Sequence, residues 1–353
     1  MAGNMTEPEI LILTEKNGFF GQTRKPWVSI DTGAFIEAFR AGGFKMETGT
    51  FDEMANLGRD IRDRVIIYTF TQKFHVRQYV KDVVFALSKK NMIIPSYDML
   101  KCHEDKGYQE LFKKEAGIGS LRAFYFSDPA AVWKHDFTWP AVLKSIEGSN
   151  GKQVWLARNR DELEKLLKRH FISVPARDRL DLLRRKYFRA KKSYGEYPEY
   201  TNEKDLEQYR EYVTDYRPFI IQEYVPGLEH DYRVLVLYDR LYVTKRHVRD
   251  NDFRASGAKK FDFDFEPDGA LLDFASGIFR KISQPVLSLD ICEKNGSYYL
   301  LEFQALHFGI NVFVKSKGYY SRTGGEWKFS ERTAGFEREL AEAFMKHLRG
   351  AGA

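Results

Sequence analysis

The fold is decided by Pro285-Val286-Leu287-Ser288-Leu289-Asp290 and by the nearby Ser297-Tyr298-Tyr299-Leu300-Leu301-Glu302-Phe303-Gln304. Each stretch is an apolar run that ends in polar side chains, and we predict two paired strands. Side chains two apart in a strand point the same way, so Glu302 and Gln304 share a face, with Asp290 on the neighbouring strand. Such oxygen donors suit Mg²⁺, a hard cation that takes few protein oxygens and leaves positions for phosphate. The pattern therefore predicts an enzyme that uses ATP.

Length and composition narrow the class of protein. The 353 residues are enough for two or three subdomains. No apolar run reaches the roughly 18 residues of a membrane span, and residues 1–8 lack the basic start of a secretory signal. With only Cys102 and Cys292, no disulfide framework is expected, and a reducing cytoplasm is the natural compartment.

The chain carries a net charge of +6, and many of its basic residues fall between Arg177 and Lys192. We favour a solvated helix face for this stretch. An acidic substrate, a membrane surface or nucleic acid are the alternatives. No zinc-finger spacing or aromatic RNA-binding signature is present, so nucleic acid is not expected as a partner.

The first hundred residues alternate between strand and helix patterns. Apolar runs predict strands and a period near 3.6 predicts helices. The predicted order is strand 9–14, helix 31–41, strand 64–70, helix 76–89 and strand 92–95. This alternation predicts a Rossmann-like parallel α/β domain over residues 1–96.

The rest of the chain predicts two further domains, 97–225 and 226–353. The predicted helices are 97–116, 161–170, 269–282 and 332–348, and the predicted strands before the final pair are 122–126, 139–146, 152–157, 219–224, 231–238 and 240–247. Residues 173–217 are dense in charge and tyrosine, and we expect an insertion with one or two exposed helices. A hairpin turn is expected at Asp239-Arg240.

Three further motifs carry potential chemistry. Lys144 ends a strand before a glycine-bearing loop whose backbone amides could cover phosphates. Gln222 to Val225 ends a strand at a Pro-Gly turn, which suits a purine edge, and Glu229 or Asp231 could then accept from ribose hydroxyls. A basic set follows that could bind phosphate or carboxylate oxygens: Lys245, Arg246, Arg249 and Arg254. Taken alone, the first two motifs are more often ordinary turns, and the basic set is as readily ordinary surface charge.

Taken in order, these pieces resemble the ATP-grasp superfamily, and the pattern is most similar to its amino-acid ligase branch. The resemblance covers roughly residues 97–309 and implies an α/β fold, with an N-terminal parallel domain followed by a two-lobed grasp of antiparallel sheets. Asp231-Tyr232-Arg233 is similar to that branch's Asp-Ile-Arg, and Phe253-Arg254-Ala255-Ser256 to its Phe-Arg-Ser-Asn.

The resemblance implies a role for each matching residue. Nucleotide binding falls to Lys106, Lys144, the flap residues Gly148, Ser149, Asn150 and Gly151, the hinge residues Gln222, Glu223, Tyr224 and Val225, and Glu229, Asp231 and Lys245. The implied catalytic arginines are Arg246, Arg249 and Arg254, and the implied Mg²⁺ ligands are Asp290, Glu302 and Gln304. Gln304 departs from the pattern, because the family usually has Asn at this position.

The implied reaction joins a carboxylate to an amine through an acyl phosphate, with release of ADP and phosphate. ATP and two Mg²⁺ ions are the implied cofactors, and Mn²⁺ could replace Mg²⁺. The carboxylate partner could be an amino acid, a peptide or a uronic acid, and a homodimer is left open. The alternatives are an ATP-grasp kinase with a hydroxyl acceptor, a non-catalytic nucleotide-binding protein, and a nucleic-acid binder acting through residues 177–192.

Overall fold

The chain folds into two compact units in a computed structural model. The structure describes residues 9–21, 30–56, 60–71, 73–148, 153–188, 195–249, 252–254 and 260–351. One unit contains the chain up to Leu121 together with the chain from Val225 onward, and the other is Arg122–Tyr224. The predicted mixed α/β class is confirmed, because a parallel sheet and antiparallel sheets are both present. The division into 1–96, 97–225 and 226–353 stays a prediction.

The first segment of the larger unit forms a four-stranded parallel sheet in the order β2-β1-β3-β4. Its elements are β1 (Ile10–Thr14), α1 (Thr32–Ala41), β2 (Met46–Thr50), α2 (Phe51–Asn56), β3 (Val65–Tyr68), α3 (Phe74–Ser88), β4 (Met92–Ile94), α4 (Tyr97–Glu104) and α5 (Lys106–Glu115). Strand β2 was not predicted, because its one buried residue is Gly49 and it has no apolar run.

The single helix predicted over 97–116 is two helices, α4 and α5. Asp105 interrupts them with an extended backbone (φ −136°, ψ 109°), and its side chain accepts hydrogen bonds from the amides of Gly107 (2.7 Å) and Tyr108 (3.1 Å). An aspartate in this geometry caps a new helix. The break makes Lys106 the first residue of α5.

The smaller unit contains a four-stranded antiparallel sheet in the order β5-β10-β6-β7. Its elements are β5 (Ala123–Phe126), β6 (Ala141–Ser145), β7 (Val154–Ala157), α6 (Arg160–His170), β8 (Ile172–Ser173), α7 (Ala176–Tyr187), α8 (Asn202–Val213), β9 (Asp215–Tyr216) and β10 (Phe219–Glu223). Helix α6 buries Leu163 and Leu167 in the core of this unit. The insertion contains the predicted exposed helices, and α7 buries none of its side chains.

The second segment of the larger unit forms an antiparallel sheet in the order β15-β14-β11-β12-β16-β17, with β13 paired to β12. Its elements are β11 (His230–Leu237), β12 (Arg240–His247), β13 (Lys260–Asp262), α9 (Gly269–Ile282), β14 (Val286–Lys294), β15 (Ser297–Gln304), α10 (Asn311–Lys315), β16 (Gly318–Thr323), β17 (Glu326–Glu331) and α11 (Phe336–Ala351). The β16–β17 hairpin was not predicted, because most of its residues are at least partly exposed and polar.

Alternation along β11 sends successive side chains to two different cores. Val234 and Val236 pack with α9, whereas Leu235 and Leu237 join the core that contains α1 and α11. The turn between β11 and β12 is Tyr238-Asp239, one residue earlier than predicted. None of the helices in the described part of the chain combines the length and apolar character that a bilayer crossing needs.

Candidate active site

The predicted metal strands pair as expected. β14 and β15 run antiparallel, with Asp290 directly opposite Glu302 and Ser288 opposite Gln304. The register shifts between Asp290 and Ile291, so that a β-bulge lies beside the acidic pair. Bulges commonly redirect side chains next to functional sites. Asp290, Glu302 and Gln304 are therefore neighbours in one sheet, in agreement with the spacing of the sequence.

Two arginines hold the carboxylate of Asp290. Arg233 on β11 donates from Nε to Oδ1 (2.7 Å) and from Nη2 to Oδ2 (2.8 Å). Arg246 on β12 contributes Nη2 at 2.9 Å from Oδ2. Burial alone would raise the pKa of Asp290, but these two guanidinium groups hold it well below its usual range. Asp290 is therefore ionised at neutral pH.

Asp231 extends this network into the sheet. It accepts two hydrogen bonds from Arg246, each 2.6 Å long, and its residue is only 2% exposed. The order Asp231, Arg246, Asp290, Arg233 alternates charge across three adjacent strands. We refer to these four residues as the charge array. Both oxygens of Asp231 are engaged by Arg246, so within this array Asp231 orients that guanidinium group.

Glu302 and Gln304 contact the start of α5 and the end of α4. Lys106 Nζ lies 3.4 Å from Glu302 Oε2, and Gln304 Nε2 donates to Glu302 Oε1 (3.0 Å). His103 Nδ1 lies 2.6 Å from Gln304 Oε1. Burial lowers the pKa of His103, although the hydrogen bond with Gln304 opposes that change. The imidazole is therefore neutral at pH 7, with Nδ1–H donating to the amide oxygen.

The donor set fits a magnesium ion. Carboxylate and amide oxygens are hard ligands, and each such oxygen has two lone pairs. Asp290 Oδ1 and Gln304 Oε1 each accept one hydrogen bond in the described part of the chain, which leaves a second lone pair on each. The described residues contain no group of three or more His, Cys, Asp and Glu that could hold a metal by themselves. A metal here would therefore need the amide of Gln304 or oxygens from a ligand.

The other predicted site residues of the larger unit do not form one cluster. Val225 is buried with Leu121 and Cys292, and the exposed Glu229 lines a cavity of about 390 Å³ beside the Pro-Gly turn. Lys245 lies on the opposite face of β12 from Arg246, with Nζ 4.8 Å from the centre of the Phe265 ring.

The two remaining arginines follow β12. Arg249 is exposed. Arg254 pairs with Asp252 through two 2.9 Å hydrogen bonds. The structure does not bring either arginine into the charge array.

In the smaller unit, Lys144 and Gln222 come together. Lys144 Nζ donates to Gln222 Oε1 between neighbouring strands. Gln222 is 2% exposed, and in the part of the chain that the structure describes its Nε2 has no hydrogen-bond partner. A buried donor of this kind suits a ligand that supplies an acceptor. Gln222 also lines a cavity of about 160 Å³ with Arg122, Phe124 and Asp136.

The structure describes only part of the predicted hinge and flap. Glu223 and Tyr224 are half-buried, and the amide of Glu223 donates to the carbonyl of Arg122 (2.8 Å). Gly148 is exposed with φ +106°. Ser149, Asn150 and Gly151 lie outside the described residues, as do Ala255 and Ser256 of the similar Phe-Arg motif.

Sequence reasoning did not assign Arg233 or His103. Arg233 was visible in the Asp231-Tyr232-Arg233 motif, where period-two alternation puts it on the same face as Asp231. His103 carried no comparable signal, because it reaches Gln304 from a helix about 200 residues away in sequence.

Comparisons with known proteins identify the architecture. A scan against protein-family models and a search of curated proteins gave no match. The chain is similar to the ATP-grasp ligase PsnB complexed with precursor peptide PsnA2 and AMPPNP, at 12% identity and a TM-score of 0.51, over 97% of this chain and 98% of that one. It is also similar to D-cycloserine synthetase DcsG, at 12% identity and a TM-score of 0.52, over 96% and 99% of the two chains.

A third similar structure is a RimK domain ATP-grasp protein from Sphaerobacter thermophilus. It shares 12% identity at a TM-score of 0.50, over 87% of this chain and 94% of that one. These matches extend over nearly the whole described architecture, including both the parallel and the antiparallel sheets. The chain has the ATP-grasp fold.

Proposed function

We propose that this chain is an ATP-dependent ligase that joins a carboxylate to an amine and releases ADP and phosphate. One observation carries the proposal: Asp290 of the charge array lies directly opposite Glu302, and Lys106 faces Glu302. Carboxylates beside several fixed cations suit a magnesium–triphosphate, in which metal and phosphate charges must both be matched. The similar structure of PsnB with a minimal precursor, Mg and ADP supports the same chemistry.

The magnesium ions would be held by Asp290, Glu302 and Gln304, and they would neutralise the charge that develops on the phosphates. Lys106 and Lys144 would bind phosphate oxygens through their ammonium groups, with Arg249 and Arg254 as further candidates from the sequence. The nucleotide base would use the hinge from Gln222 to Val225. Gln222 Nε2 supports this assignment, because it is a buried donor that a ring nitrogen could satisfy.

The two arginines of the charge array would have different roles. Arg246 is 5% exposed and is committed to Asp231 and Asp290, so its role would be to orient Asp290. The Arg233 side chain is 30% exposed and uses Nε and Nη2 on Asp290. Arg233 is thus the better candidate to face the transferring phosphoryl group, a role that the sequence had suggested for Arg246.

The chemistry would then proceed in two displacements. The substrate carboxylate attacks the γ-phosphorus and ADP leaves, which gives an acyl phosphate. The amine attacks the acyl carbon, phosphate leaves, and the amine gives up a proton. We infer a cytoplasmic setting, because Cys102 and Cys292 are both buried and form no disulfide, as a reducing compartment favours.

Replacing Glu302 with Ala tests the proposal. We expect loss of at least about 100-fold in carboxylate-dependent ADP release, because the carboxylate that would hold the metal is removed. Glu326→Ala is the matched control, since Glu326 is an exposed glutamate on the same sheet. Coupled assays for ADP and phosphate, run over panels of carboxylates and amines, provide the measurement.

Two outcomes would change the assignment. Undiminished ADP release by the Glu302 variant would refute the site. ADP release without free phosphate, with phosphate retained on a hydroxyl product, would make the chain a kinase.

A further inference from the structure

A cavity of about 450 Å³ lies at the other end of the antiparallel sheet from the charge array. It is bounded by the β11–β12 turn, by α9, by α11 and by the β16–β17 hairpin, all within the larger unit. Asp231 and Tyr238 are seven residues apart on β11 and its turn, which corresponds to about 23 Å in an extended strand. A molecule bound here would not touch the candidate active site.

Three side chains of this cavity offer hydrogen-bond donors to a ligand: Tyr238, Arg280 and His347. The side chains of Tyr238 and His347 make no hydrogen bond in the described part of the chain. Arg280 uses one of its five N–H groups, in a 2.9 Å bond to Ser276 Oγ. A ligand that brings acceptors can satisfy these donors.

The carboxylates around the cavity already have cationic partners. Asp239 pairs with Lys346 at 2.7 Å, and Asp273 accepts from Arg322 (2.5 Å) and from Trp327 Nε1 (2.8 Å). Arg280 has no carboxylate partner among the described residues. The unmatched charge at the cavity is therefore positive and favours an oxyanion.

Aromatic rings form part of the wall. The Tyr238 and Phe279 rings meet edge to face at 6.0 Å, and the Arg322 guanidinium lies 5.2 Å from the centre of the Trp327 ring. Tyr238 and Phe279 are half-buried and Trp327 also lines the cavity. Rings of this kind favour a flat or cyclic apolar group over a bare ion.

The backbone around the cavity is held in uncommon conformations. Tyr238 and Ser283 both line it and have φ of +56° and +51°, a region that residues with a side chain seldom adopt. A Cβ on Gly350 would lie 2.9 Å from the Tyr238 hydroxyl, so a side chain at this position would displace that hydroxyl. Such positions cluster at ligand sites more often than elsewhere.

We propose that this cavity binds a small ring-bearing molecule with a carboxylate or phosphate group. The oxyanion accepts from Arg280, and from Tyr238 or His347, while the ring packs against Phe279 and Trp327. This site is separate from the nucleotide chemistry proposed above and does not depend on it.

Calorimetric titration of the full chain with phenyl phosphate, benzoate, inorganic phosphate and benzyl alcohol tests the proposal. We expect saturable one-site binding of phenyl phosphate or benzoate, and the stronger of the two identifies the preferred oxyanion. Inorganic phosphate lacks the ring and benzyl alcohol lacks the charge, so each should bind at least tenfold more weakly. Arg280→Gln should weaken aryl anion binding about tenfold, the cost of one charge-assisted hydrogen bond.

Two control variants separate this cavity from other sites. Arg338→Gln removes an exposed arginine of α11 and should leave binding unchanged. Lys106→Gln alters the candidate active site and should also leave it unchanged. Absence of saturable binding at millimolar concentrations would overturn the proposal. Binding that survives Arg280→Gln, or that is lost only in Lys106→Gln, would overturn it equally.

Discussion

Asp231 has a structural role in the charge array, because it holds Arg246 in place. Arg246 lies between Asp231 and Asp290, with both carboxylates within 2.9 Å. A guanidinium at 5% exposure tolerates burial only while its partners remain. Asp231 thus sets the position of Arg246, and through it the position of Asp290.

Asp231→Ala should therefore destabilise the fold strongly. We expect the free energy of unfolding to fall by about 3 kcal/mol, because Arg246 would stay buried with only one carboxylate partner. Urea denaturation followed by circular dichroism measures the change. Asp239, in the turn between β11 and β12, forms a solvent-exposed ion pair with Lys346. Asp239→Ala removes this ion pair and should cost under about 1 kcal/mol of stability. Equal losses in the two variants would contradict the role of the array.

A second residue-level prediction concerns acid stability. Burial lowers the pKa of His347 below its usual value of about 6.5, so the unfolded chain takes up this proton at a higher pH than the folded chain. Stability should consequently fall as pH drops below 6.5, and His347→Gln should make that fall shallower. The other histidines with lowered pKa, His103, His170 and His230, stay in both proteins, so the difference isolates His347. Parallel stability curves from pH 7.5 to 5 would show that His347 has no such effect.

Residue spacing predicted one part of the site and could not predict another. Period-two alternation was enough to put Glu302 and Gln304 on one face and Asp290 beside them. The partners of Asp290 depend on the register between β11 and β14, which pairs Arg233 with Asp290 across 57 positions of sequence. Local sequence contains no information on that register, so the arginines looked like independent phosphate ligands.

Among the elements, α6 and α7 illustrate how differently helices of similar length are stabilised. Leu163 of α6 is fully buried, whereas Leu183 of α7 is 52% exposed. Leu163→Ala should cost about 2 to 5 kcal/mol through lost burial and a new cavity, while Leu183→Ala should stay within about 0.5 kcal/mol. Three of the five tryptophans, Trp133, Trp139 and Trp155, belong to this unit, so intrinsic fluorescence reports mainly on its unfolding. A comparable cost at Leu183 would mean that α7 is packed against something in solution.

Elements with a strong apolar period were predicted well, and polar ones were missed. Helix α9 was predicted over 269–282 and has those bounds, since its buried positions recur at helical spacing. Strand β2 and the β16–β17 hairpin have few buried side chains. Backbone hydrogen bonds make them strands: β2 pairs with β1, and β16 pairs with β17. The break between α4 and α5 depends on the capping hydrogen bonds of Asp105. The helical sequence pattern continues through this position, so it gave no sign of the break.

The smaller unit is one continuous stretch of chain, whereas the larger unit consists of two separate stretches. The core that surrounds α1 and α11 takes residues from both chain segments of the larger unit. Phe344 of α11, for example, meets Phe35 and Phe39 of α1 at ring distances of 5.9 and 6.4 Å. The core under α6 instead draws all of its buried residues from Arg122–Tyr224. The two units should therefore differ in whether a continuous piece of chain can fold by itself.

We expect the fragment 122–224 to fold cooperatively and the fragment 1–121 to remain unfolded. The first has its own sheet and core, and its ends are adjacent, because the Glu223 amide donates to the Arg122 carbonyl at 2.8 Å. A domain of about 100 residues with a closed core is within the usual range for independent folding. The second would expose Phe35 and Phe39, which α11 covers in the full chain. Amide dispersion in NMR spectra and a sigmoidal urea transition measure folding, and a disordered 122–224 fragment would show that this core needs the rest of the chain.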